Sequence, residues 1–213
     1  VRDINRVFDD TARAELALSP ETATRLGLEE DMLRQPFVDI LDDRSQARFE
    51  RTRLLRIELL NRLNDTPPIP EDSALARHVA IARMEYEALT ELEAYGFGRY
   101  GPGVARPYAV DQLSGAWIDV PDLLISSQPL ATHADAEAYL ARLAALPDAI
   151  RDEKRRLLSD AENDIIPPKV VLDTLETRLR EFAGQPVETH PLIQTFGNVV
   201  GGLDPAKGRP ANE

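Results

Sequence analysis

Cysteine is absent from this 213-residue chain. That excludes disulfides, thiolate metal sites and cysteine nucleophiles, while leaving the redox character of its compartment open. Histidine is scarce, with three residues. A zinc site built from His and carboxylate needs two histidines converging, or one with acids at helical spacing. His78 lies beside an apolar helical stripe, His133 shares a helix start with Asp135 and Glu137, where the dipole favours acids, and His190 precedes Pro191 in a turn. The string His-Glu-x-x-His does not occur, and neither does a G-x-S-x-G elbow or a phosphate loop. No apolar run approaches the ~20 residues of a membrane span, and no charged-then-apolar leader is visible. Basic residues are outnumbered, 25 against 37 acidic, for a formal charge of -12 that repels phosphate backbones and anionic headgroups. We therefore expect no nucleic-acid partner and no membrane span.

What is present is ample apolar material, 43% of the residues, patterned for helix. Leu75, Val79, Ala82, Tyr86 and Leu89 alternate four- and three-residue steps, predicting a helix from about Ser73 to Tyr95. Ala136, Leu140, Leu143, Ile150, Leu157 and Ala161 form a second stripe, opened by the capping-box pair Thr132 and Asp135 and kinked or split at Pro147. Phe49, Leu55, Leu59, Leu60 and Leu63 predict a helix from about Asp43 to Asn64, closed by Thr66-Pro67-Pro68-Ile69-Pro70. Val171, Leu175, Leu179 and Phe182 predict one after Pro167-Pro168, ending near Gly184. Ile4, Phe8 and Leu16 predict one at the start, and Ser19-Pro20 reads as an N-cap and first helical position, with Gly27 as the stop. Near the end, Leu192, Phe196 and Val199 share one helical face, which either folds back on the core or packs against polypeptide missing from this chain. Alternating β-branched runs bracketed by hairpin turns are missing. The expectation is an all-α fold, an irregular helical bundle with a long Gly/Pro-rich loop, Tyr95 to Pro121, holding a short helix near Asp111 to Ala116. Residues 1–203 would form the helical domain and residues 204–213 a flexible end.

The remaining motifs have bland readings. Gly96-Phe97-Gly98-Arg99-Tyr100-Gly101 matches G-x-G-x-x-G, but follows a helix and runs into Pro102-Gly103, so it reads as a glycine-rich turn. Glu91 with Glu93, and Asp42 with Asp43, read as solvated acids. Asp152-Glu153-Lys154-Arg155-Arg156 reads as salt-bridged surface, with Asp152 meeting Arg156 one turn on.

Four segments in order resemble the N-terminal half of a bacterial family, domain of unknown function 885. They are Ala17-Leu18-Ser19-Pro20-Glu21-Thr22-Ala23-Thr24-Arg25-Leu26-Gly27-Leu28, Pro107-Tyr108-Ala109-Val110-Asp111-Gln112-Leu113-Ser114-Gly115, Asp135-Ala136-Glu137-Ala138-Tyr139-Leu140-Ala141-Arg142-Leu143 and Ile166-Pro167-Pro168-Lys169-Val170-Val171. The resemblance spans roughly residues 15 to 185, each motif being weakly specific alone. It implies a long helical protein related to zinc carboxypeptidase-like enzymes, often exported or lipid-anchored, with the zinc motif downstream of these segments. On that expectation this chain is the non-catalytic helical part, with no catalytic residue, metal ligand or cofactor of its own. Zinc would belong to the parent protein, in an extracytoplasmic location. Tyr108, Gln112 and Gly115 match the family's loop motif, where they shape a cleft wall or anchor the loop. The partner would be the missing C-terminal half or another copy of the chain. The alternative is a self-sufficient helical interaction module without enzymatic activity.

Overall fold

The computed structural model describes residues 2–66, 69–71, 73–91, 99–101, 104–106 and 108–200. The first layer packs α1 (Arg2–Ala17), α4 (Gln46–Asn64) and α5 (Ala74–Glu91) around Val7, Leu59, Leu63 and Ala82. These are the stripes the spacing predicts, and Glu15 ties them together by accepting from Arg56 Nε at 3.3 Å and from the Tyr86 hydroxyl at 3.3 Å. Two short helices, α2 (Pro20–Arg25) and α3 (Glu30–Leu33), cover Ala23, Leu33 and Phe37. Pro20 sits at the start of α2 as expected and Gly27 follows it in the left-handed region, φ 64°. Ser19, however, makes no side-chain cap, because its hydroxyl accepts from Arg48 Nη2 at 2.7 Å instead.

The second layer holds α6 (Ala116–Ser126), α7 (His133–Glu162), α8 (Lys169–Ala183), a 3-10 turn at Val187–Thr189, and α9 (Pro191–Val200). Its core is Leu41, Ala116, Val120, Leu123, Leu124, Tyr139, Leu146, Ala149 and Leu192. Capping by Thr132 and Asp135 opens α7 as predicted. The face ending the chain folds back: Leu192 is buried, its carbonyl accepts from the Tyr139 hydroxyl at 2.9 Å, and the Phe196 ring lies 5.4 Å from that of Tyr139. That disposes of the missing-partner expectation for those two side chains.

Four expectations change. First, α7 runs unbroken through Pro147, so the predicted split does not occur. Pro147 is exposed and forgoes a single bond to the preceding turn, which thirty residues of helix absorb. Second, the short helix expected at Asp111 to Ala116 lies later, at α6, and residues 111–114 form a turn. Pro121 inside α6 hid it, since proline in a helix interior reads as a breaker. Third, β1 (Arg99–Gly101) and β2 (Val104–Arg106) pair antiparallel in a small hairpin, Arg99 opposite Arg106, within the segment read as loop. Three residues a side leave the fold all-α, with a bundle of helices as the sole substantial architecture among the described residues. Fourth, the stripe read on α7 is rotated from its buried face: Leu140 and Ile150 are exposed, and Ala161 as well. Of the predicted stripe Ala136 is buried, and beyond it and Ala138 the buried positions are Tyr139, Arg142, Leu146, Ala149, Glu153, Arg156 and Asp160, spaced by three and four residues but carrying four charges. The expected end at 204–213 lies outside the described residues, as do Glu93 and most of the Gly96–Gly101 string.

Candidate functional site

One of those charges, Glu153, belongs to a buried polar lattice joining α2, the segment before α4, α6 and α7. Glu21 and Asp42 bond reciprocally: the Glu21 amide donates to Asp42 Oδ1 and the Asp42 amide to Glu21 Oε1, each at 3.0 Å. Arg44 then reaches Glu21 with two nitrogens, Nη1 to Oε1 at 2.6 Å and Nη2 to Oε2 at 3.0 Å, and turns Nε to Glu153 Oε1 at 3.0 Å. The planar guanidinium suits this, because its fork can serve two carboxylates at once. Glu153 in turn accepts the Ala116 amide on both oxygens, at 2.9 and 2.8 Å, and so supplies a carboxylate to the start of α6. That helix end presents unpaired amides and the positive pole of the helix dipole. Gly115 makes room: an added Cβ there would lie 3.2 Å from Glu153 Oε2.

Beside this lattice Arg142 is fully enclosed and donates five hydrogen bonds to acceptors without charge. Nε goes to the Ile40 carbonyl at 2.9 Å, Nη1 to Gln128 Oε1, and Nη2 to Thr24 Oγ1 and the Phe37 carbonyl, both at 2.8 Å, and to the Pro20 carbonyl at 3.4 Å. One side chain of α7 thereby holds α2 and the irregular segment 37–41, whose carbonyls no helix or sheet satisfies. Burial pulls its guanidinium down to about 10, still protonated at neutral pH, with Glu21, Asp42 and Asp39 opposing the fall.

Burial also perturbs the carboxylates. Burial would raise Glu21, yet Arg44 and the Asp42 amide hold it below its ordinary value; Asp42 is raised by burial and by Glu21. Glu153 is pushed up by burial to about 7, against the pull of Arg44 and the Ala116 amide, with Asp119 adding repulsion. Glu153 therefore carries an extra proton in the folded state between about pH 4.5 and 7, and stability falls as pH rises through that window. The difference amounts to at most about 3 kcal/mol at one proton. We expect Glu153→Gln to flatten this decline, checked by urea midpoints of both proteins at about pH 5 and pH 7.5. An unchanged slope in the variant would assign the titration elsewhere.

The residues singled out from sequence lie at the edge of this lattice. Tyr108 and Gln112 are half-buried on the segment leading into α6. The turn there is closed by the Asp111 amide to the Ser114 carbonyl at 3.1 Å and by the Leu113 amide to Asp111 Oδ1 at 2.7 Å, and Arg178 Nη1 of α8 reaches the Gln112 carbonyl at 3.2 Å. The Oε1 of Gln112 and the hydroxyl of Ser114 are buried without a hydrogen-bond partner. Only Gly115 of the three is joined to the charges. His78 and His133 are exposed, and His190 stacks edge-on to Phe182 at 5.0 Å while its Nδ1 accepts from the Leu192 amide. Among the described residues no three His, Asp or Glu side chains converge to hold a metal.

Sequence reasoning missed Glu21, Asp42, Arg44, Arg142 and Glu153, and it misjudged two groups. Asp42, read as solvated, is largely covered, its side chain 19% exposed. The 152–156 run is only partly surface: Asp152 pairs with Arg155, at 2.6 Å, rather than Arg156, while Glu153 and Arg156 are buried. A search for three-and-four spacing that admitted charged residues would have found 139, 142, 146, 149, 153, 156 and 160.

Geometry thus defines a helical protein whose inner charges bond to its own backbone and to one another. The chain belongs to the family described as bacterial protein of unknown function, DUF885, whose family model matches residues 20–211. Its fold is similar to the crystal structure of a candidate lipoprotein from Colwellia psychrerythraea, with TM-score 0.80 and 19% identity, over 95% of this chain and 34% of that one. The chain thus spans about a third of the length of that solved protein. No curated protein matches it. Among the described residues no helix is long and apolar enough to cross a membrane.

Proposed function

We propose that this chain is the non-catalytic helical portion of a zinc-dependent, peptidase-like hydrolase, a rigid scaffold or cleft wall for a catalytic part supplied by further polypeptide. The observation that carries it is the comparison of lengths: this fold makes up 34% of a solved protein that it matches with TM-score 0.80. The bonding supports the scaffold role, because the buried charges are engaged in tying segments together rather than turned toward a cleft. Tyr108 and Gln112, half-buried on the segment leading into α6, are the residues of this portion proposed to line that cleft wall. An exported or lipid-anchored location fits the description of the solved protein. The reading in which the chain is a self-sufficient interaction module draws on its closed second-layer core.

We expect the purified 213-residue chain to hold no stoichiometric zinc and to cleave no peptide in a library digest, and the protein made from the whole parent reading frame to do both. Elemental analysis and mass spectrometry of the digest are the measurements. One tightly held zinc on the short chain, lost in His133→Ala or His78→Ala, would overturn the assignment. So would a whole protein without metal or peptidase activity.

A further inference from the structure

The helix α8 is the least covered long element of the second layer. Leu175 turns inward to Val110 and Trp117, with Leu179 partly packed beside it. One flank is open: Leu172, Leu175, Glu176, Leu179, Arg180 and Ala183, at three- and four-residue steps, line a groove of about 460 Å³. The charges on its rim are already engaged, since Glu176 Oε1 accepts from Arg180 at both Nε, 3.1 Å, and Nη2, 2.7 Å. Between them the lining is apolar, Leu172, Leu175, Leu179 and Ala183. Apolar side chains are exposed beyond both ends of the helix as well, Ile166 at 60% before it and Val187 at 66% after it.

We infer that this face of α8 docks a helix, apolar along one side, from further polypeptide of the kind that accompanies the fold in the longer solved protein. The inference rests on the scaffold reading above and names its contact surface. Fifteen helical residues span about 22 Å, a length that a second helix matches and a small ligand does not. In the solved protein this fold is 34% of the chain, so about twice as much polypeptide is available there to cover it. A second copy of this chain is a worse occupant, because two bodies each carrying -12 repel.

The cysteine-free sequence supplies the test. Ala183→Cys and Leu172→Cys place thiols in the groove, and Thr177→Cys places one on an exposed position outside its lining. Each is made in the 213-residue chain and in the whole parent protein, and thiol labelling is followed site by site by peptide mass, with melting curves to confirm folding. The groove thiols should label at least about tenfold more slowly in the whole protein than in the short chain, and Thr177→Cys equally in both. Equal rates at all three sites would overturn the inference, as would a parent reading frame that ends at Glu213. Concentration-dependent protection in the short chain, with a dimer in sedimentation, would assign the face to a second copy and also overturn it. The two readings fail separately. Zinc and peptidase activity with unprotected groove thiols sinks the surface alone, whereas protected thiols in an inactive, metal-free protein sink the hydrolase alone.

Discussion

Arg142→Ala should unfold at a much lower urea concentration than the parent chain, with a stability loss of about 4–5 kcal/mol or more. The substitution leaves the Ile40 carbonyl, Gln128 Oε1 and Thr24 Oγ1 without their buried donor, leaves the Phe37 carbonyl only the Ile40 amide, and vacates the volume of the largest fully enclosed side chain among the described residues. A buried polar group stripped of its partner costs about 1–3 kcal/mol, and here several are stripped together. Such a loss approaches the whole stability of a small domain, about 5–15 kcal/mol. Arg142→Lys should fall between the two, since the ammonium keeps the charge but has three donors on one atom and cannot span acceptors on three sides. Denaturant titration of the three proteins is the measurement. A loss below about 1 kcal/mol in Arg142→Ala would mean that the segment 37–41 finds its bonds in water.

The second large effect is expected at Gly115, whose φ of 123° and ψ of 168° belong to a region essentially reserved for glycine. A Cβ there meets Val110 Cγ1 at 2.9 Å, Glu153 Oε2 at 3.2 Å and Trp117 Cδ1 at 3.3 Å. Backbone strain and overpacking each cost about 1–3 kcal/mol, so Gly115→Ala should lose about 2–5 kcal/mol and displace Glu153 from the start of α6. Gly27→Ala is the internal comparison. Its φ is also positive, 64°, but nothing lies within 4 Å of the added carbon, so the cost is confined to the left-handed backbone, about 1–2 kcal/mol. Melting temperatures of both variants rank the two effects, and equal losses would show that the crowding around Gly115 relaxes.

The helical layers were readable because their signal is local. In α1, α4, α5 and α8 the apolar residues that recur at three- and four-residue steps are the ones packed inward, Leu59, Leu63, Val79, Ala82, Leu89 and Leu175 among them. The Thr132 and Asp135 capping box involves residues three apart, and so was visible without knowing any partner. Proline misleads in two places: the sequence predicts a kink or split at Pro147 and ends the long loop at Pro121, yet both residues sit within helices.

The charge lattice was not readable, and the reason is sequence distance. Glu21 and Arg44 are 23 residues apart, Arg44 and Glu153 are 109, and Arg142 reaches Thr24 across 118. In a chain with 37 acidic and 25 basic residues, nothing local distinguishes the few that pair inside from the many that are solvated. Glu153 and Asp152 are neighbours in sequence and opposite in fate, because successive residues of a helix point about 100° apart and only one of the two directions faces Arg44 and the start of α6. The order of apolar residues by itself determined that this protein is helical and roughly where its helices run. Which face of α7 turns inward, and which arginines and carboxylates are carried in with it, was decided only by the tertiary structure, where the Phe37 and Ile40 carbonyls and the open end of α6 supply bonds that a buried charge requires.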